Sequence, residues 1–175
     1  MKNIIRICLL LLVSFIAKAH IDKGEVPPQI VGKLVNGDEV NLSDYKGKVV
    51  ALTFWATWCT YCLEEMPVLA NIQMKLGTDQ FRVIAVNYKE DRKVFKSVEK
   101  KTREYNMIMA HDKYGDYGEN FGVSGFPLLY LIDHHGKVAF RHQGYNQKTQ
   151  EKIINEIIYL VDNRNKEMES LEAGK

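Results

Sequence analysis

An almost unbroken apolar run, Val49 to Trp55, ends four residues before Cys59-Thr60-Tyr61-Cys62, and from there the pattern turns helical. A run so short and so apolar reads as a strand covered on both faces, hence a central strand of a sheet. Beyond it, Leu63, Met66, Leu69, Ala70, Ile72 and Leu76 recur at helical spacing, and Gly77 supplies a stop. The chain is thus expected to leave the middle of a sheet and enter a helix that Cys59 opens. A thiolate in that position faces unpaired backbone amides and the positive end of the helix dipole, worth about half a unit charge. It becomes a nucleophile near neutral pH. Cys62, three positions on, shares its helical face, so a reversible disulfide is within reach.

Other uses of C-x-x-C fit less well. Zinc wants four ligands and usually a second Cys or His pair at similar spacing, and the chain has no second cysteine pair. Covalent haem attachment needs His directly after the second cysteine, where this chain has Leu63. A structural disulfide is the plain alternative to redox chemistry, but a loop this short yields little chain-entropy stabilisation.

The start of the chain reads as a secretory signal over residues 1–19. Lys2 and Arg6 form a basic start, Ile7 to Ala17 an apolar core, and Ala17-Lys18-Ala19 a small-x-small cleavage site. Its eleven-residue apolar core falls short of the roughly 20 residues a membrane span requires, so cleavage before His20 is expected rather than an uncleaved anchor. Cys8 would be lost with it. Removing Lys2, Arg6 and Lys18 takes the formal charge from +2 to −1, which gives nucleic-acid binding no electrostatic support. The 156 residues left suit one domain without repeats, over residues 20–162, followed by a polar tail over residues 163–175 expected to fray.

The remaining elements alternate. Runs Ile30 to Val35 and Glu39 to Leu42 flank Asn36-Gly37, a hairpin signal. A second buried strand is expected at Phe81 to Val86, then an amphipathic helix capped by Asp91 with Val94, Phe95 and Val98 on one face. A short strand at Met107 to Ala110 and a short helix at Asp116 to Phe121 precede strands at Leu128 to Ile132 and Lys137 to His142. Ile153, Ile154, Ile157, Ile158 and Val161 then mark a closing helix.

These landmarks resemble the thioredoxin superfamily, and within it the exported TlpA-like branch. The resemblance rests on Leu42-Ser43-Asp44-Tyr45-Lys46-Gly47-Lys48, the strand into Trp58-Cys59, Pro67 beyond Cys62, Val123-Ser124-Gly125-Phe126-Pro127, Leu131-Ile132-Asp133 and Gly136-Lys137-Val138. It implies an α/β fold: a four- or five-stranded mixed sheet with helices on both faces, an added N-terminal hairpin, and a helical insert matched by Glu90 to Tyr105. It also implies a cis-proline at Pro127, facing the disulfide, with the Phe126 backbone open to an extended substrate segment, and Trp58 as a partial shield. Cys59 is then the nucleophile and Cys62 the resolving thiol.

Thr53 stands where cytoplasmic relatives often bury a carboxylate. Glu65, one turn after Cys62, resembles a glutamate that moves protons in the reductase branch, and burial would raise its pKa toward the working range; the alternative is a solvated helix residue, as Glu64 is taken to be. Thr60-Tyr61 lacks the proline common in such motifs, and Phe126 is bulkier than the usual Thr or Val.

The function expected from the resemblance is exported, periplasmic thiol:disulfide exchange without a cofactor. The reading favours a monomer that reduces protein disulfides such as those of apocytochromes c and is recharged by a membrane thiol donor. An oxidase or isomerase is the nearest alternative. A peroxidase is disfavoured by Ala56 where a threonine is expected, and a copper chaperone by the two-residue spacing of the cysteines. His111, His134 and His135 could suggest copper or zinc ligands, but without a patterned partner they read as surface histidines, with no metal expected, and the charged run Lys89 to Arg103 reads as a solvated helix face.

Overall fold

The computed structural model describes residues 21–174; the expected export segment, its cleavage point and Cys8 lie outside them. Seven strands form one mixed sheet in the order β2-β1-β5-β4-β3-β6-β7. They are β1 (Ile30–Lys33), β2 (Glu39–Asn41), β3 (Val49–Trp55), β4 (Phe81–Tyr88), β5 (Ile108–Asp112), β6 (Leu128–Ile132) and β7 (Val138–Gln143). The helices are α1 (Thr60–Leu76), α2 (Arg92–Lys101), α3 (Asp116–Asn120) and α4 (Gln147–Ala173), with single 3-10 turns at Leu42–Tyr45 and Arg103–Tyr105.

The central strand is where the apolar run places it. β3 is buried at all seven positions, parallel to β4 in register Val49↔Phe81 through Trp55↔Asn87 and antiparallel to β6. Because side chains alternate across a strand, Val50, Leu52 and Phe54 join Val31, Val40, Leu42, Ile84 and Phe121 on one face. Val49 and Ala51 face the other way, onto Leu69 of α1 and Ile153, Ile157, Leu160 and Val161 of α4. A third cluster around Trp55, Cys59, Cys62, Met66 and Phe95 lies at the C-terminal end of β3.

The added hairpin extends the sheet edge, since β1 pairs with β5 through Lys33↔His111. Its ladder is shorter than the apolar alternation suggests. Asn36 folds the connection on itself: its Oδ1 accepts from the Asp38 amide at 3.0 Å, while the Leu34 amide donates to the Asp38 carbonyl at 2.8 Å. Residues 34–38 thereby become a five-residue loop in place of the two-residue turn that Asn36-Gly37 suggests.

The frayed tail expected from Asn163 onward is not found. α4 continues to Ala173 because its polar residues are anchored to the body of the protein. Arg164 donates to the carbonyls of Gly47 and Asp79, Asn165 donates to Gln80 Oε1 at 2.7 Å, and Glu167 meets His134 at 2.9 Å.

Adjacent positions of α4 test the packing. Ile157 is fully buried against β3, β4 and β6, whereas Ile158 is 45% exposed. Ile157→Ala is expected to cost about 2–5 kcal/mol in urea denaturation, and Ile158→Ala to stay within about 0.5 kcal/mol of the parent.

Candidate active site

β3 delivers the chain to a turn in which the Cys59 amide donates to the Ala56 carbonyl at 3.0 Å. Cys59 sits in extended conformation as the N-cap of α1, with φ −89 and ψ 98. Its sulfur occupies the place that a Ser or Asp oxygen takes at other helix starts: the Cys62 amide donates to Cys59 Sγ at 3.2 Å. Cys59 and Cys62 form a disulfide, with Cα atoms 5.3 Å apart. The two sulfurs are not equivalent. Cys59 retains 7% exposure and Cys62 none, so an incoming group reaches Cys59 first.

Phe126-Pro127 is a cis peptide, and Pro127 is buried at the entry to β6. Phe126 packs against the cluster that holds both cysteines. Its ring meets Trp58 edge-on at 5.5 Å and Tyr88 at 5.6 Å. Trp58 is 70% exposed and forms, with Phe126, an aromatic wall beside Cys59. Among the described residues, the Phe126 backbone makes no hydrogen bond to another backbone group.

Glu65 is 1% exposed. Its Oε2 accepts from the Thr53 hydroxyl at 2.7 Å, while Oε1 has no partner among the described residues. Burial pushes its pKa up to about 7 against the opposing pull of the Thr53 hydrogen bond. Tyr145 registers the same charge from the neighbouring segment, its phenol pushed up to about 12 by burial and then by Glu65 and Glu64. Glu64, by contrast, is exposed. Pro67 lies within α1, where its missing N–H leaves the Leu63 carbonyl without its usual helical donor.

The loop before Cys59 has an anchor that the sequence did not reveal. Glu90 accepts from the Thr57 amide at 2.8 Å, from the Thr57 hydroxyl and from Asn87 Nδ2. Its own carbonyl meets His111 Nε2 at 2.8 Å, and that imidazole stacks on Phe95 at 4.7 Å. The run Lys89 to Arg103 reads as solvated from its charges, yet its first carboxylate turns inward. The cue in the sequence was Asn87, a polar residue that follows the apolar stretch Val83 to Val86 of β4. Trp55 Nε1 and Asn87 Oδ1 are also buried without partners among the described residues, so unpaired polar atoms gather at this end of β3.

Comparison with known proteins places this geometry. The Redoxin family model matches residues 23–158. The thiol-disulfide oxidoreductase ResA of Bacillus thuringiensis is 32% identical over 136 residues, covering 78% of each chain. A Chlorobium tepidum structure, provisionally assigned as a thiol:disulfide interchange protein DsbE, superposes with TM-score 0.70 at 31% identity, covering 81% of this chain and 99% of that one. The exposed lipoprotein thioredoxin Etrx1 of Streptococcus pneumoniae gives 0.62 at 32% identity, over 73% of this chain and 96% of that one.

The Glu65 carboxyl leaves a mark on stability. In the native protein it holds its proton up to about pH 7, whereas the unfolded chain releases it near 4.5. Between those values the native state binds more protons, so its stability falls as pH rises, by about 3 kcal/mol in all. Urea denaturation of the disulfide form at pH 4.5 and 7.5 is expected to show this loss in the parent relative to Glu65→Gln, which lacks the titrating group.

Proposed function

The chain belongs to the redoxin family, in the TlpA-like branch of the thioredoxin superfamily, and is a thiol:disulfide oxidoreductase; on that premise we propose that it is exported and reduces disulfides of other proteins. The observation behind this reading is the asymmetry of the pair: Cys59 at a helix N-cap with a trace of exposure, and Cys62 fully buried one turn before a buried carboxyl of raised pKa.

In the dithiol form, Cys59 thiolate attacks one sulfur of a substrate disulfide. The substrate S–S bond breaks, a mixed disulfide to Cys59 forms, and the first substrate thiolate leaves. Cys62, once deprotonated, attacks Cys59 Sγ, releases the second substrate thiolate and closes the Cys59–Cys62 disulfide. Two electrons pass to the substrate, whose thiolates take up two protons. Glu65 accepts the Cys62 proton, because a carboxyl near pKa 7 is half ionised at neutral pH. Trp58 and Phe126 bound the approach, and an extended substrate segment pairs with the Phe126 backbone beside cis-Pro127. All these groups come from one chain, so a monomer carries the whole site.

Export is supported by the basic and apolar segments of residues 1–19 and by likeness to an exposed lipoprotein. Among the described residues no helix is long and apolar enough to cross a membrane. In an oxidising compartment the pair must be recharged, and a membrane thiol donor fills that role, with apocytochromes c as the substrate class. Thiol trapping in growing cells is expected to find the pair reduced; a fully oxidised pool would instead make the protein an oxidase.

Two variants examine the division of labour. Cys62→Ala is expected to accumulate mixed disulfides with substrate proteins, and these should vanish when Cys59→Ala is added. Substrates captured equally well by the double variant would overturn the assignment of Cys59. Glu65→Gln should retain the first step but lose the dependence of mixed-disulfide resolution on a group titrating near pH 7. An unchanged pH profile for resolution would remove Glu65 from the mechanism.

A further inference from the structure

Away from the thiol site, two elements bring three metal-ligating side chains together. His134 and His135 lie in the turn between β6 and β7, and Glu167 lies in the segment of α4 that its composition marked as a loose tail. His134 Nε2 is 2.9 Å and His135 Nε2 3.3 Å from the same carboxylate oxygen, Glu167 Oε2. One ligand atom from each residue lies within 4.8 Å of the other two. We propose that His134, His135 and Glu167 form a binding site for a borderline divalent transition ion such as Zn²⁺, which fastens the end of α4 to the β6–β7 turn.

The spacing fits the ion. Bonds of about 2.0–2.2 Å to imidazole nitrogen and carboxylate oxygen place neighbouring ligand atoms about 3.3–3.4 Å apart in a tetrahedral shell. The His135–Glu167 separation already matches, the His134–Glu167 pair opens by a few tenths of an ångström, and no pair has to close by more than about 1.5 Å. Two imidazoles and one carboxylate are a donor set that suits zinc and its neighbours.

Both limbs are held in place before any ion binds. Asp133 Oδ1 accepts from the amides of His135 and Lys137 at 3.0 and 2.9 Å, and the Gly136 amide donates to the Asp133 carbonyl at 2.9 Å. The Gly47 amide donates to the His134 carbonyl at 2.8 Å, while Arg164 of α4 donates to the Gly47 carbonyl. One residue therefore ties the turn and the helix together. Access is open on one side, with side-chain exposures of 11% for His134, 53% for His135 and 43% for Glu167. The nearby cation in this cleft, Lys23, rests over the Phe140 ring at 5.0 Å.

The site lies at the far end of β6 from Pro127, roughly 17 Å away by strand rise, so it is independent of the thiol chemistry. Titration of ZnCl₂ into the tag-free disulfide form, in which the cysteines are unavailable as ligands, is expected to show saturable one-to-one binding by calorimetry. Affinity should fall at least tenfold in His135→Ala, whose half-exposed side chain leaves the fold intact, and likewise in His134→Ala and Glu167→Gln. Zinc should also slow amide hydrogen exchange over residues 164–173 in the parent but not in His135→Ala. Absence of one-to-one binding by the parent, or parent-like affinity in His135→Ala, would reduce the cluster to an ion pair and overturn the proposal.

Discussion

β3 is buried along its whole length between β4 and β6, and its end determines where the first turn of α1 begins. Seven ladder positions against β4 and five against β6 leave no freedom for sliding, because a one-residue slip would turn every side chain to the opposite face. Thr57 is then fixed by Glu90, and Cys59 by its own turn and cap. The sulfur at the helix N-terminus is therefore held by a rigid scaffold, with only a short loop between sheet and helix. The amides that stabilise a thiolate are the same ones that need a cap, so the local folding requirement and the reactive group coincide.

The same strand sets the environment of Glu65. Thr53 lies on β3 and supplies a single hydrogen bond to the buried carboxylate. One neutral donor cannot offset the loss of water around a charge, so the group stays protonated to about pH 7. A stronger partner, such as a lysine in place of Thr53, would hold the carboxylate ionised and remove its capacity to take up a proton. The cost in stability above neutral pH and the proton-transfer role proposed for the group both follow from the same missing partner.

Much of this was legible because the relevant signals are periodic or chemically specific. The apolar run of β3, the helical spacing after Cys59 and the isoleucines of α4 each report a buried face directly. Cys59, Cys62 and Pro127 occupy positions that few other arrangements explain. Glu90 was hidden because an acidic residue at the start of a charged helix looks the same whether it faces water or folds back onto an amide. The ordered end of α4 was hidden for a related reason: Arg164, Asn165 and Glu167 meet partners 33 to 117 residues away, and composition carries no record of such pairings. In both cases polar side chains made tertiary contacts that local patterns cannot encode.

The bulk of Phe126 takes its meaning from the same kind of tertiary contact. A smaller residue before cis-Pro127 would leave Trp58 and Tyr88 without the ring that bridges them. With phenylalanine, the three aromatics brace one another, and an exposed tryptophan is held by edge-to-face contact worth about 0.5–1.5 kcal/mol per pair. Trp58 is then less a lid over the disulfide than a fixed wall beside it. If substrates dock here as proposed, a fixed apolar wall next to an open backbone edge selects for chain segments that are extended and carry aromatic or aliphatic side chains near their cysteine. On the function proposed above, that surface favours unfolded or incompletely folded proteins over compact ones, whose disulfides seldom present such a segment.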